Sequence, residues 1–199
     1  MPRSTRGKRT DRNAPSGRLR IVAGKWRRRL LPVADAPGLR PTGDRVRETL
    51  FNWLAPVIEG AHCLDLYAGS GALGLEALSR GAASCVFVER SAEVVKVLQH
   101  CIDLLSADAA EVLQRDAIGY LESAEVRPFD VVFLDPPFAA DAAKVLCSLL
   151  HERGWLAAGG RVYLEQDAGQ EMPALPAGWR VEKEKTAGRV RFALFRSAS

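Results

Sequence analysis

The residues that most restrict what this chain can fold into are 62–81. His62-Cys63-Leu64-Asp65-Leu66-Tyr67 is a buried strand by its apolar content, and it runs directly into Ala68-Gly69-Ser70-Gly71-Ala72-Leu73-Gly74. A helix follows to Arg80, and Gly81 stops it. A strand, a glycine turn and a helix begin a βαβ unit. Glycines at the turn let the backbone approach a ligand, and the first helical N–H groups point at its polar end. The spacing Gly69-x-Gly71-x-x-Gly74 is weak evidence by itself and fits a dinucleotide as well as other adenosyl cofactors. The strand Cys85–Val88 ends at Glu89, 24 residues after Asp65, where an acid accepts hydrogen bonds from ribose hydroxyls. Asp65 favours S-adenosylmethionine over NAD, because it stands ready for a cationic amino group that NAD lacks.

The rest of the chain repeats the alternation. A helix over 92–105 carries the stripe Val94, Val95, Leu98, Ile102 and Leu105. Ala110–Gln114 is a third strand, closed by Arg115-Asp116-Ala117; Asp116 fits two roles equally, acceptor of an adenine amino group or helix N-cap. Strands follow at 129–134 and 160–165, with a helix over 140–152 between them, and the segments 179–185 and 190–195 form a terminal hairpin around Ala187-Gly188. The expected fold class is α/β: a mostly parallel seven-stranded sheet with helices on both faces, one reversed strand and a C-terminal antiparallel hairpin.

The run Val131-Val132-Phe133-Leu134 ends at Asp135-Pro136-Pro137-Phe138. Neither proline has an N–H for a strand ladder, and each restricts the residue before it, so the sheet stops at Asp135. What remains is a carboxylate, a rigid turn with fixed carbonyls and an aromatic ring at the carboxyl end of a buried strand. That set suits attack by an exocyclic amine of a nucleobase. Such a nitrogen is a poor nucleophile until acceptors hold its two N–H bonds; Asp135 and the Pro136 carbonyl are the acceptors, and a carboxylate beside the nitrogen opposes the positive charge that grows there. Phe138 stacks on the base. The competing reading is a strand-ending turn with a solvated acid.

Charge divides the chain. Residues 1–47 hold fourteen Lys/Arg against three acids, whereas the remainder holds fourteen against twenty-one. An N-terminal basic footprint points to nucleic acid, with a solubilising tail as the alternative. Residues 1–17 are expected to be a disordered basic arm, residues 18–43 a basic β-hairpin extension, and residues 44–199 the catalytic domain. In the extension, Leu19–Val22 and Leu30–Val33 flank Gly24-Lys25 and Trp26-Arg27-Arg28-Arg29; Trp26 either covers the hairpin or stacks on a base. The helix over 45–58 has the stripe Val46, Leu50, Trp53/Leu54 and Val57, and its other face carries Arg45, Arg47, Glu48 and Asn52. Four scattered cysteines and three isolated histidines lack metal-ligand spacing, so reduced core thiols and no metal are expected. No apolar run reaches the roughly 20 residues of a membrane helix, and no secretory signal is evident, which points to a cytoplasmic protein.

Beyond these readings, the sequence over about residues 18–196 resembles the RsmD family, bacterial methyltransferases of guanine N2 in 16S ribosomal RNA. The resemblance rests on Arg20-Ile-Val-Ala-Gly-Lys-Trp26, on Leu39-Arg-Pro-Thr42 with Asp44-Arg-Val-Arg-Glu-Thr-Leu-Phe-Asn52, on Leu64 to Gly74, on the D-P-P-F and on Thr186-Ala-Gly188. Tyr67 stands where Phe is expected, and Arg28 where a small residue is common. The resemblance implies a Rossmann-like methyltransferase fold in which S-adenosylmethionine is held by Asp65, Tyr67, Ala68, Gly69, Ser70, Gly71, Glu89, Arg90, Asp116 and Ala117. The target guanine falls to Asp135, Pro136 and Phe138. Arg18, Arg20, Lys25, Arg27, Arg28, Arg29, Arg40, Thr42 and Arg45, within the hairpin and the segment 40–47, are expected to grip 16S ribosomal RNA, within a small-subunit particle and as a monomer. Two other readings stay open: a methyltransferase of an adenine or cytosine amine, and a non-catalytic RNA-binding assembly factor.

Overall fold

The computed structural model describes residues 17–36, 39, 41–136 and 142–198. The chain opens with a two-stranded antiparallel sheet, β1 (Gly17–Arg20) and β2 (Leu30–Val33), in which Leu19 faces Leu31. Helix α1 (Asp44–Leu54) leads into the main layer: β3 (His62–Leu66), α2 (Ala72–Ser79), β4 (Ser84–Glu89), α3 (Ala92–Leu105), β5 (Ala110–Gln114), α4 (Ala117–Ser123), β6 (Phe129–Leu134), α5 (Ala142–Glu152), β7 (Leu156–Asp167), β8 (Arg180–Ala187) and β9 (Val190–Arg196). The seven strands lie in the order β5-β4-β3-β6-β7-β9-β8. β9 runs antiparallel to both of its neighbours and is the one reversed strand. This is the expected doubly wound sheet, with α1, α2 and α3 over one face and α4 and α5 over the other.

Two boundaries and one added helix differ most from expectation, each for a local reason. α1 stops at Leu54 rather than at 58, because Pro56 has no N–H to donate back to the preceding turn and the chain closes instead in a turn on the Leu54 carbonyl. β7 is twelve residues long; its pairing with β6 shifts between Phe129 and Val131, and Gly159, at φ 67°, absorbs the irregularity. α4 is an extra helix of seven residues, too short to leave a periodic pattern.

The hairpin is built into the larger core. Leu19, Ile21, Leu31 and Val33 are buried in the same cluster as Leu75, Leu78, Leu98 and Cys101 of α2 and α3. The chain between its strands is fastened by polar groups. Glu76, fully buried on α2, accepts from the N–H groups of Val22 (2.8 Å) and Ala23 (2.9 Å). Arg47 donates to Glu76 (3.3 Å), to the Arg20 carbonyl (2.7 Å) and to the Thr42 carbonyl (3.1 Å). The expected place of Arg47, on the polar face of α1 and toward RNA, is therefore corrected: it is fully buried. Gly24 closes the clamp at φ 80°, where a Cβ would lie 1.8 Å from the Ser79 carbonyl oxygen. Among the described residues, no helix is long and apolar enough to cross a membrane, and no group of three or more His, Cys, Asp or Glu is arranged to hold a metal ion.

Candidate active site

β3 lies between β4 and β6, so successive units leave it in opposite directions, and the crevice at the carboxyl ends of β3 and β6 is the switch point where such sheets bind ligands. Two loops border it. After β3, Tyr67 adopts φ 61°, unusual for a bulky residue, and Gly69 and Gly71 follow at 51° and 72°. A Cβ on Gly69 would meet the end of the Leu39 side chain at 2.7 Å, and one on Gly71 the end of Leu98 at 2.5 Å, contacts a side chain can relieve, so it is the positive φ that favours glycine at both. Gly74 lets α2 lie against β4, since a Cβ there would fall 2.3 Å from the Phe87 ring.

The acids predicted at the strand ends converge on this turn. Asp65, 2% exposed, accepts from the Gly74 N–H (2.9 Å) at the first turn of α2. Burial is the main reason its carboxyl is pushed up to about 8; the Gly74 bond opposes the shift and the charge of Glu89 adds to it. Glu89 accepts from the N–H groups of Gly69 (3.1 Å) and Ser91 (2.8 Å), which ties the end of β4 to the glycine turn. Tyr67 lies within electrostatic range of Asp116 and Arg90, and its hydroxyl is raised chiefly by burial, then by Asp116, with Arg90 opposing. Asp116 caps α4 by accepting from the Gly119 N–H (2.9 Å), which leaves its other oxygen on an exposed side chain; Ala117 is buried behind it. The turn thus offers backbone N–H groups, a buried acid behind them and two further acids beyond, a donor set that fits a cationic adenosyl ligand.

On the other side of the crevice, Leu66 of β3 pairs with Leu134 of β6, so Asp135 emerges level with Tyr67 at the start of the glycine turn. Burial raises the Asp135 carboxyl well above its usual range, and the nearby charges of Glu165 and then Asp65 add to the shift. Pro136 is buried beside it. Phe138 and Arg40 lie outside the described residues, as do residues 1–16 of the expected arm.

Glu165 is the site residue that sequence reasoning does not find. It follows Leu164, which pairs with Leu134, so Glu165 and Asp135 leave adjacent strands side by side. The Glu165 carboxylate accepts from the Tyr163 hydroxyl (2.8 Å) and from the Thr42 hydroxyl; burial raises it and these two bonds oppose the rise. An acid two residues after Tyr163, on the same face of the strand, is the available signal. Thr42, expected to face RNA, is instead turned inward and only 6% exposed. The cations Arg18, Arg20, Lys25, Arg27, Arg28, Arg29 and Arg45 are all exposed, whereas Trp26 is half-buried against the core with the Lys25 ammonium 4.1 Å over its ring.

The family model described as Conserved hypothetical protein 95 matches residues 19–196. Ribosomal RNA small subunit methyltransferase D of Escherichia coli (strain K12) is 48% identical over 180 residues, which cover 90% of each chain. The chain belongs to the RsmD family. A solved methyltransferase structure from Escherichia coli superposes on this RsmD family member with a TM-score of 0.86 at 44% identity, covering 92% of this chain and 99% of that one. More distantly, the fold is shared with a 16S rRNA N2 G1207 methyltransferase of Thermus thermophilus in complex with AdoMet and guanosine, with a TM-score of 0.62 at 23% identity, covering 92% of this chain and 50% of that one.

Proposed function

We propose that this protein transfers a methyl group from S-adenosylmethionine to the exocyclic N2 of a guanine in 16S ribosomal RNA. The observation that carries the reading is Asp135, held at the end of β6 level with the glycine turn that follows β3. S-adenosylmethionine supplies an electrophilic methyl carbon on a sulfonium. The loop from Tyr67 to Gly71 holds the donor's polar end, with Asp65 behind it for the amino group. Glu89 takes the ribose, and the free oxygen of Asp116, beside Arg90 and Ala117, takes the adenine amine.

Across the crevice, Asp135 and the Pro136 carbonyl each accept one N2–H of the guanine, which localises the nitrogen lone pair toward the donor. Positive charge then grows on N2 beside the carboxylate, which needs no reorganisation to oppose it, and N2 gives up one proton to Asp135 or to water while the donor departs as its neutral thioether. Glu165 sets the state of that carboxylate. The charge of Glu165 opposes a second negative charge on Asp135, so Asp135 ionises at higher pH than a separated acid would. Phe138 stacks on the base. The target leaves its own stack first, at a cost of a few kcal/mol, and the exposed arginines of the hairpin and of α1 offset part of that cost through phosphate contacts.

The protein acts as a monomer in the cytoplasm, without a metal, on RNA within a small-subunit particle. The test is transfer of labelled methyl from S-adenosylmethionine to ribosomal RNA and to small-subunit particles from cells lacking the gene, followed by nucleoside identification. N2-methylguanosine is expected in the small-subunit RNA; label in N6-methyladenosine or in a cytosine derivative would replace this reading with another amine.

A further inference from the structure

The motif Thr186-Ala-Gly188 and the neighbouring end of α1 enclose a groove that the methyl-transfer reaction does not use. It has a volume of about 410 Å³, with Arg45, Val46 and Thr49 on its α1 wall and Lys185, Ala187 and Phe192 on its β8–β9 wall. Sheet register connects it to the reaction centre. Glu165 of β7 pairs with Phe192 of β9, which pairs with Lys185 of β8. Glu165, Phe192 and Lys185 therefore form one row across β7, β9 and β8, and Asp135, which follows Leu134 of β6, continues it at the edge of the sheet where β3 and β6 end. Phe192 stacks on Trp53 of α1 at 5.3 Å, and Thr42, bonded to Glu165, lies three residues before Arg45. The row and the helix end make a strip that leads from the acid pair directly into the groove.

We propose that this groove seats the RNA nucleotide next to the target guanine. The inference rests on the RNA methyltransferase reading. Flipping a base out of its stack strips a neighbour of one stacking partner and turns its phosphate toward the protein. A receptor for that neighbour needs an apolar surface for the base and cations for the phosphate. The groove has both: Val46 on one wall and Ala187 and Phe192 on the other are apolar, and Arg45 and Lys185 stand on opposite walls. Both cations are exposed, and neither has an ion-pair partner among the described residues, whereas Arg47, Arg80, Arg161, Arg189 and Arg191 each have one. No acid among the described residues lines the groove, so its charge complements a polyanion. Thr49 and Thr186 add hydroxyls suited to phosphate or ribose. The β8–β9 turn reaches over the groove because Gly188 sits at φ 62°.

The test compares wild type with Lys185→Glu, which reverses one wall, Lys185→Arg, which keeps its charge, and Thr49→Trp, which fills the cavity. Methyl transfer to small-subunit particles is measured together with donor affinity, and 4-thiouridine is placed on either side of the target guanine for crosslinking. The expected result is a KM for RNA raised about tenfold or more by Lys185→Glu and Thr49→Trp, with kcat changed by less than about threefold. Donor affinity stays unchanged, and Lys185→Arg behaves as wild type. One flanking position crosslinks to the peptide containing Thr186 and Ala187, and Thr49→Trp abolishes that crosslink. Variants with wild-type kcat/KM, crosslinks elsewhere on the chain, or a ribosomal protein seated at this peptide would each overturn the groove's role while leaving guanine methylation intact. Failure of wild type to methylate guanine would remove the underlying reading instead, and the groove's assignment with it.

Discussion

Asp135 and Glu165 are two half-buried carboxyls side by side on adjacent strands, and the charge of Glu165 makes Asp135 harder to ionise. The proposed mechanism requires a charged acceptor beside guanine N2, so activity should rise with pH as Asp135 ionises. Glu165→Gln removes the largest charge opposing that ionisation, and the acid limb of the kcat profile should therefore move to lower pH while Tyr163 keeps a partner; a profile that does not move would take Glu165 out of the chemistry. Asp135→Ala should lower kcat by about 10²–10³-fold, the usual cost of removing one group that stabilises the transition state, with donor affinity within tenfold of wild type. Asp65 makes a second pH prediction. Its carboxyl lies up at about 8 without ligand, so at pH 7 it is largely protonated, and a cationic donor should expel that proton. Donor affinity should rise with pH up to about 8 and then level off, and calorimetry at pH 7 in buffers of different ionisation enthalpy should register close to one proton released. The sign for the free protein is opposite: an acid raised by folding stabilises below its unfolded value, near 4, and that contribution is lost as pH rises through about 8. Asp65→Asn, which can still accept from Gly74, should therefore lose less stability than wild type between pH 7 and 9.

At the scale of elements, most of the sheet is legible in the sequence because its strands are short apolar runs bounded by glycine, proline or acids. α3 is legible to the residue because Val94, Leu98, Ile102 and Leu105 keep one buried stripe; Cys101 joins it in place of the expected Val95, and Ser91 caps the helix. Asp65, Glu89 and Asp135 are legible because an acid at the end of an apolar strand is conspicuous. Glu165 is not, since its meaning depends on which strand lies beside β7. Arg47 falls on the polar face only while the stripe of α1 is drawn narrowly: Phe51, one turn beyond Arg47, is also buried, and a face that includes both turns the arginine inward. The buried Arg47–Glu76 pair then becomes the fastening of the hairpin. Glu76→Ala would leave two backbone N–H groups without their acceptor and the buried Arg47 guanidinium with Asp44 as its remaining carboxylate, and loss of one partner from such a buried network costs about 3–5 kcal/mol. Urea denaturation should show a loss of that size. A loss below about 1 kcal/mol would mean that apolar packing of the hairpin, rather than this pair, holds it to α2.

For the whole molecule, fastening matters because it fixes the basic surface relative to the crevice. Phosphate contacts carry no base identity; they set where the RNA lies, and only a rigid mount converts that position into delivery of one guanine to Asp135. The hairpin's cations are not equivalent in this respect. Arg29 donates to the Leu104 carbonyl at the end of α3 (3.0 Å) and is partly committed to the fold, whereas Arg27 and Arg28 have no such side-chain bond among the described residues. Arg28 sits at φ 68°, a strained conformation that few residues other than glycine accept. Reversing Arg27, Arg28 and Arg29 to Glu together should weaken RNA binding and flatten its salt dependence, by about 0.7–0.9 in the slope of log K against log salt for each phosphate that the hairpin no longer neutralises. Reversing Arg27 and Arg28 alone should account for most of that change, because Arg29 commits part of its donor capacity to Leu104. Binding measured between 50 and 300 mM salt decides it: an unchanged slope in the triple variant would move the RNA off the hairpin, and an equal share from Arg29 would mean that its bond to α3 gives way when RNA arrives.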